Sequence, residues 1–180
     1  MRGWFGVVMA LLSVLYGPPG EARVIDASKA PHPPEFDVQA PTRWINSPPR
    51  RLAEFRGKVV LVEFWTFACV NCARTVPWVR HLEDSLPATD FQVIGVHTPE
   101  FDFEKDAAAV RRKVTAFGLA HPVVMDNEFS IWDAWGNRYW PAFYLVDRAG
   151  RVRAHYAGET HPGDAQARAI EADIRRLLAE

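Results

Sequence analysis

Cysteine is scarce in this sequence, since Cys69 and Cys72 are the only two among 180 residues. No second CxxC pair exists and the six histidines are scattered, so a tetrahedral zinc site lacks ligands. Ala73 follows the pair, which excludes the CxxCH motif of c-type haem attachment. The sequence therefore predicts neither a metal site nor a bound cofactor.

Strong charge of one sign is also missing. Acidic and basic residues nearly cancel, leaving a net charge of -1, and no basic run occurs. A nucleic acid or an anionic membrane surface is therefore not an expected partner. With 180 residues, the chain is long enough for one domain with a substantial core.

The apolar run near the N-terminus is too short for a membrane-spanning helix. It extends from Trp4 to Tyr16, whereas a span needs roughly 20 residues. Arg2 precedes it and small residues follow it, which predicts a signal peptide over residues 1–22, with an uncleaved N-terminal membrane anchor as the alternative. A Pro-rich linker over residues 23–40 and a single domain over residues 41–180 would follow. Export would place the cysteines in a periplasmic or other extracytoplasmic compartment, where a disulfide persists.

Two continuously apolar segments predict strands that are buried on both faces of a sheet. They are Val59–Trp65, which is interrupted only by Glu63, and Phe91–His97. A helix is predicted between them, from near Cys69 to about Leu86. The cysteine pair therefore lies where a strand gives way to a helix.

The rest of the chain alternates between strands and helices. Apolar residues at helical spacing predict a helix from about Asp102 to Phe117, and Asp147–Gly150 predicts the turn of a hairpin. The other predicted elements are short segments at Thr42–Ser47 and Arg51–Phe55, a strand at Pro122–Met125, a short helix at Asn127–Trp135, hairpin strands at Ala142–Val146 and Arg151–Tyr156, and a C-terminal helix with Ile170, Ile174, Leu177 and Leu178 on one face. This alternation predicts an α/β sandwich.

The spacing of the cysteines indicates dithiol redox chemistry. A disulfide that closes so small a loop removes little unfolded-state entropy, which disfavours a purely structural bridge. If the helix starts at Cys69, backbone N–H groups and the helix dipole lower the pKa of its thiol below about 8.5. Cys72 would lie one turn deeper on the same helical face. Cys69 would attack a substrate disulfide, and Cys72 would then attack Cys69 and release the reduced substrate.

Glu63 is the candidate base for Cys72. It is the one ionisable residue in an otherwise apolar strand, and burying it there without a purpose would be costly. Burial would raise its pKa, so that it accepts and returns a proton near neutral pH. The alternative is that Glu63 faces solvent at a strand edge.

The motif and its surroundings resemble a known group of proteins. Val62–Pro77, which contains both cysteines and Asn71 between them, is similar to the active-site signature of DipZ-like domains. Val96–Phe101 and Gly136–Ala142 are also similar to that group. The sequence thus resembles the thioredoxin superfamily, within its exported TlpA/DipZ-like disulfide reductase branch, over roughly residues 41 to 178.

This resemblance implies a thioredoxin-like three-layer α/β/α sandwich with a mixed central sheet. It implies that Cys69 is the exposed nucleophile, Cys72 the resolving thiol and Glu63 a buried acid. It also implies a cis peptide bond before Pro141, whose neighbouring backbone would pair with a substrate peptide. On the residues alone, Pro141 opens a strand and a trans bond is the ordinary outcome. Protein disulfides are the implied substrates.

Residues that border the cysteines depart from ordinary thioredoxins. Val70 and Asn71 replace the usual Gly-Pro, and Trp140 stands where a smaller residue is usual. We expect Trp65, Asn71 and Trp140 to contact the substrate. DipZ-like proteins also carry a membrane electron-transfer domain that this sequence does not hold, so a separate membrane thiol electron donor is expected.

Three functions stay open at this point. The leading prediction is an exported thiol–disulfide oxidoreductase, more a reductase than an oxidase. The second is a peroxiredoxin-like thiol peroxidase, since Thr66–Cys69 matches a Thr-x-x-Cys motif, although Val62 replaces the proline of that motif. The third is a non-catalytic thioredoxin-fold binding module in which Cys69–Cys72 is an inert staple.

Overall fold

The computed structural model describes residues 24–180, so the predicted signal peptide or anchor over residues 1–22 lies outside them. The strands within this range are β1 (Trp44–Ile45), β2 (Val59–Trp65), β3 (Phe91–His97), β4 (Val123–Met125), β5 (Ala142–Val146) and β6 (Val152–Ala157). The α-helices are α1 (Val70–Ser85), α2 (Ala107–Phe117), α3 (Ser130–Ala134) and α4 (Ala165–Ala179). Short 3-10 helices lie at Pro41–Arg43, Leu52–Phe55 and Asp102–Lys105. No helix of residues 24–180 is long and apolar enough to cross a membrane.

The strands form one mixed sheet in the order β1-β4-β3-β2-β5-β6. β2, β3 and β4 run parallel, while β1, β5 and β6 pair antiparallel with their neighbours. β2 therefore lies inside the sheet, and all seven of its residues are buried. Helices cover both faces, which confirms the thioredoxin-like three-layer α/β/α sandwich with a mixed central sheet.

Successive residues of β2 contribute to opposite layers of the core, as the period of a strand requires. Val60, Val62 and Phe64 pack in an aromatic-rich layer with α3 and with Phe36 and Val38, which precede β1. Val59 and Leu61 pack on the other face, against α1 and α4. The apolar run thus becomes a strand that is covered on both sides.

The expected continuous helix from Asp102 to Phe117 is wrong in its first part. Asp106 has an extended backbone and caps α2, because its Oδ1 accepts the backbone N–H of Ala109 at 2.6 Å. An aspartate gains more from such a cap than from a helix interior. Phe103, which continues the apolar period, is 59% exposed and lies outside the core. The expected helix over Asn127–Trp135 is likewise shorter, since α3 begins only at Ser130.

Part of the segment predicted as a linker packs against the domain. The Phe36 ring is fully buried and stacks on Trp135 with ring centroids 6.0 Å apart. Glu35 accepts hydrogen bonds from the backbone N–H groups of Leu52 and Ala53. The packed core therefore includes residues that precede position 41.

Candidate active site

Three elements meet at the carboxyl end of β2. Trp65 ends β2 and Cys69 caps α1 four residues later. In the antiparallel pairing of β2 with β5, Phe64 faces Ala142, which brings Pro141 beside the end of β2. The Trp140–Pro141 bond is cis, as the resemblance implies.

Cys69 occupies the position where a helix N-terminus best stabilises an anion. Its side chain is the N-cap of α1, and its Sγ accepts the backbone N–H of Cys72 at 3.2 Å. A hydrogen bond from the Cys72 thiol and the backbone N–H groups of Cys72 and Asn71 outweigh partial burial, and they lower the pKa of Cys69 to about 7. At neutral pH, a substantial fraction of Cys69 is therefore thiolate.

Cys72 has the opposite character. It is 1% exposed and packs with Trp65, Val110 and Val114 in an apolar cluster. Burial raises the pKa of its thiol well above the ordinary value, and its hydrogen bond to Cys69 adds to this effect. The pair thus combines one accessible thiolate with one buried thiol that needs a base.

Glu63 lies inside the sheet, not at a solvent-facing edge. It is 3% exposed on the central strand β2, so the alternative of an exposed carboxylate is wrong. Burial raises its pKa to about 7. The nearby His121 opposes this rise, while Glu83 and Cys69 add to it. A carboxyl with this pKa can accept and return a proton at neutral pH.

A second buried carboxylate, Glu104, holds the loop that carries the motif. Its Oε1 accepts hydrogen bonds from the Thr66 hydroxyl and from the backbone N–H of Ala68 at 2.8 Å. Its Oε2 accepts the backbone N–H groups of Glu100 and Phe101 at 2.8 and 2.9 Å. Although burial favours the neutral acid, these hydrogen bonds hold the pKa of Glu104 below its ordinary value. A charged side chain therefore ties the loop before Cys69 to the loop after β3.

His97 is another buried polar side chain close to the cysteine motif. Its ring is fully buried, and its Nε2 lies 3.4 Å from the Thr66 hydroxyl oxygen. The ring packs edge-on to Trp65, with centroids 5.0 Å apart, and stacks on Phe67. Burial lowers the pKa of His97 to about 4, so this imidazole is neutral at physiological pH.

The three predicted substrate contacts have different surroundings. Asn71 is exposed in the first turn of α1. Trp140 is half-buried, and its Nε1 donates to the carbonyl of Thr98 at 3.1 Å. Trp65 is 2% exposed, and this burial disfavours a direct contact between its side chain and a substrate.

Glu104, His97 and His121 are missing from the sequence prediction of the site, because only the fold brings them to it. His97 alone carries a signal, since it ends a buried strand on the same sheet edge as Trp65. Glu104 falls within the segment that was expected to be a continuous helix, so its role depends on the break before α2.

Residues 47–174 match the family model described as Redoxin. The chain is similar to protein DipZ of Mycobacterium tuberculosis (strain CDC 1551 / Oshkosh), with 39% identity over 162 residues, which is 88% of this chain and 22% of DipZ. It therefore spans only about a fifth of that relative. It is also similar to the thiol-disulfide oxidoreductase YkuV of Bacillus subtilis (strain 168), with 26% identity over 137 residues, covering 76% of this chain and 88% of YkuV.

A similar fold is found in the crystal structure of a thiol-disulfide isomerase from Corynebacterium glutamicum. The two share 27% sequence identity with a TM-score of 0.72, over 85% of this chain and 99% of that chain. The family model covers well over half of the sequence and includes both cysteines. The chain therefore belongs to the Redoxin family and is a thioredoxin-like member of the TlpA/DipZ-like branch.

Proposed function

We propose that this protein is an exported thiol–disulfide oxidoreductase that exchanges the Cys69–Cys72 pair with protein disulfides and acts as a reductase. The observation that carries the proposal is the asymmetry of the two thiols. Cys69 caps α1 with its pKa lowered to about 7, whereas Cys72 is buried one turn further along the helix. This arrangement separates the attacking thiol from the resolving thiol.

The reaction proceeds through one mixed disulfide. The Cys69 thiolate attacks a sulfur of the substrate disulfide, forms a bond to it and releases the other substrate sulfur as a thiolate. Cys72 then loses its proton to the Glu63 carboxylate and attacks the Cys69 sulfur. The second substrate sulfur leaves, and Cys69 and Cys72 become a disulfide. Two electrons pass to the substrate, and a separate thiol donor must reduce the pair again.

The pKa of Cys69 supports the reductive direction. Thiols with pKa near 7 are found in thioredoxin-type reductants, whereas the strong oxidant DsbA has a pKa of about 3.5. A strongly stabilised thiolate favours the reduced protein and makes the disulfide oxidising. The value of about 7 for Cys69 lies at the reductant end of this range.

The position of Pro141 supports a protein substrate. Ala142 pairs with Phe64, so the backbone of Trp140 and Pro141 lies beside the end of β2. An extended substrate segment can form backbone hydrogen bonds along such an edge. We assign Asn71 and Trp140 to the rim of this site, because both retain exposed surface beside the cysteines.

Export and a membrane-linked thiol donor complete the proposal. The apolar run after Arg2 supports export as a signal peptide or as an anchor. The similarity to DipZ covers only 22% of that protein, so the source of electrons is proposed from the chemistry. A dithiol reductant outside the cytoplasm needs reducing equivalents that cross the membrane, which a membrane thiol protein would supply.

The test uses the full-length protein and two matched variants. The reduction potential of the Cys69–Cys72 disulfide is measured in glutathione redox buffers. Activity is measured as the reduction of insulin disulfides. A potential below about -200 mV and loss of insulin reduction in Cys69→Ser are expected. Cys72→Ser is expected to retain partners as mixed disulfides in extracts of the exported compartment. Full activity of Cys69→Ser would overturn the exchange mechanism, and a potential near -120 mV would reverse the direction.

The peroxidase alternative is tested in the same preparation. The Thr66 hydroxyl, which carries the resemblance to the peroxidase motif, donates to Glu104 inside the protein. It is therefore already engaged by a buried carboxylate. Reduced protein is expected to consume hydrogen peroxide no faster than a free thiol of similar pKa, and a much faster rate would favour the peroxidase.

A further inference from the structure

One loop contacts both the helix that carries the cysteines and the strand that begins after Pro141. It comprises residues 158–160, which follow β6. We infer that this loop fixes the position of α1 relative to Pro141, and that Thr75 is the positioning residue that binds the loop to α1. This inference rests on the proposed function, because it concerns how a polypeptide segment at Trp140 is held within reach of Cys69.

The hydroxyl of Thr75 makes two hydrogen bonds inside the protein. It donates to the carbonyl oxygen of Asn71 at 2.9 Å, one turn earlier in α1, and its oxygen accepts the backbone N–H of Thr160 at 3.0 Å. Thr75 and Thr160 are both fully buried. Thr75 also lies three residues after Cys72, on the same buried face of α1. A buried N–H group without an acceptor is costly, so the loop is held at the position of the Thr75 hydroxyl.

The other end of the loop is bound to the residue that follows the cis bond. The backbone N–H of Gly158 donates to the carbonyl oxygen of Pro141 at 2.9 Å. Gly158 has a φ of +107°, in the region that favours glycine, and the chain leaves β6 there. Only one residue separates Gly158 from Thr160. The loop therefore connects the backbone of Pro141 with α1 through a hydrogen bond at each of its ends.

A third element holds the loop in this conformation. Gln166, in the first turn of α4, donates through its Nε2 to the carbonyl oxygen of Gly158 at 3.1 Å and to the hydroxyl oxygen of Thr160 at 2.8 Å. On the solvent side, Arg74 of α1 lies 3.6 Å from the carboxylate of Glu159. A partly exposed ion pair of this kind contributes little. The hydrogen bonds at the two ends of the loop therefore determine its position.

The position of the loop matters for a polypeptide substrate, because exchange then needs two contacts at once. A segment that lies along the backbone of Trp140 must also present its sulfur to Cys69 within bonding distance. A displacement of α1 relative to Pro141 makes these two contacts incompatible and slows the reaction. A small disulfide can reach Cys69 without contacting Trp140, so the same displacement should leave its reaction unchanged.

The experiment compares a polypeptide disulfide with a small one. Reduced full-length protein is mixed with excess insulin at several concentrations, and the oxidation of Cys69 and Cys72 is followed by acid quenching and mass spectrometry. These rates give the second-order rate constant for insulin. In parallel, the first thionitrobenzoate released from 5,5'-dithiobis(2-nitrobenzoate) measures the attack by Cys69 on a small disulfide.

Thr75→Val removes the hydroxyl and keeps a side chain of similar shape. Its rate constant for insulin should fall about tenfold, since the Thr160 N–H loses its acceptor and the loop moves. The first thionitrobenzoate release should keep its wild-type rate. The pH midpoint for alkylation of Cys69 by iodoacetamide should stay near 7, because the variant retains the groups that lower this pKa, which are the Cys72 thiol and the N–H groups of Cys72 and Asn71.

Three further variants separate the hydrogen bonds of the loop from packing. Thr75→Ser keeps the hydroxyl and should restore the rate constant for insulin to near the wild-type value. Gln166→Met removes both hydrogen bonds from α4 to the loop, so it should slow the reaction with insulin and leave the first thionitrobenzoate release unchanged. Thr115→Val makes the matched change at an exposed position of α2 and should behave as the wild type.

Three results would overturn the inference. The first is an equal slowing of both reactions in Thr75→Val, which would mean that Thr75 acts on the cysteines and not on the substrate position. The second is a Thr75→Ser variant as slow as Thr75→Val, since the hydroxyl would then be irrelevant. The third is an unchanged reaction of Gln166→Met with insulin, which tests the loop even if Thr75→Val fails to fold. A wild-type protein that does not reduce insulin would instead contradict the proposed function.

Discussion

The backbone N–H of Cys72 donates a hydrogen bond to the Sγ of Cys69 over 3.2 Å, so each cysteine acts on the other before any disulfide forms. The two-residue spacing creates this contact, because the third residue after an N-cap presents its N–H to the cap side chain. The resolving cysteine therefore also stabilises the nucleophile.

Replacing Cys72 by Ala tests this relationship. The backbone N–H remains, but the hydrogen bond from the thiol is lost, so the pKa of Cys69 should rise from about 7 toward the value of a free cysteine. The pH dependence of alkylation by iodoacetamide, followed by mass spectrometry, measures this midpoint. A midpoint that stays near 7 would assign the stabilisation to the backbone alone. In the reciprocal variant Cys69→Ala, buried Cys72 should react far more slowly at pH 8.

Glu63→Gln should change how stability depends on pH. Between pH 4.5 and about 7, the folded protein keeps a proton on Glu63 that the unfolded chain has lost. The contribution of Glu63 to the free energy of unfolding therefore falls as pH rises through this window. A neutral glutamine avoids this loss, so the stability of the variant relative to wild type should increase by up to about 3 kcal/mol between pH 5 and pH 8.

Urea denaturation of the oxidised proteins at several pH values measures this difference, because oxidation removes the titration of the thiols. His97 and His155 are buried with pKa values lowered to about 4, and they give the opposite slope in the same window. They are present in both proteins and cancel from the difference. If the difference in free energy of unfolding between the two proteins does not change with pH, the pKa of Glu63 is not raised in the folded protein.

Much of the fold could be predicted because its signals are local. β2 and β3 have the expected bounds, since an apolar run of strand length must be covered on both faces. The position of Cys69 at the start of α1 follows from the strand that precedes it. The prediction fails at Asp106. Apolar residues at helical spacing, beginning with Phe103, predicted a helix that continues through Asp106, whereas this residue caps α2. Periodicity alone cannot distinguish an exposed aromatic residue from a core residue.

The buried polar part of the site could not be predicted in this way. Glu104 contacts Thr66 across 38 positions of sequence, and no local pattern links them. The His121 ring lies beside Gly95 of β3, and only the register of the sheet makes Gly95 the neighbour of Glu63. Such contacts depend on tertiary packing, which determines where a polar side chain finds its partners.

Glu104→Gln should weaken the loop that precedes Cys69. The carboxylate accepts four hydrogen bonds, and an amide can accept at only one of its two positions. Buried N–H groups without partners should lower the free energy of unfolding by about 2–4 kcal/mol. Urea denaturation measures the loss, and faster hydrogen exchange at the Ala68 amide should accompany it. Glu100→Gln changes an exposed carboxylate of the same loop and is the control. An equal decrease in the free energy of unfolding of both variants would contradict the role of Glu104 in holding this loop.

Phe36→Ala tests whether the segment before residue 41 stabilises the domain. The Phe36 ring is fully buried, stacked on Trp135 and edge-on to Trp44. Removing an aromatic ring from a packed core costs about 3–5 kcal/mol, so the free energy of unfolding should fall by that amount. Asp37→Ala alters the exposed neighbour and should have little effect. Phe36 belongs to the core layer on the opposite face of the sheet from Cys72. Disulfide exchange should therefore keep its wild-type rate under conditions where the variant is folded. An unchanged free energy of unfolding would show that the segment contacts the domain without stabilising it.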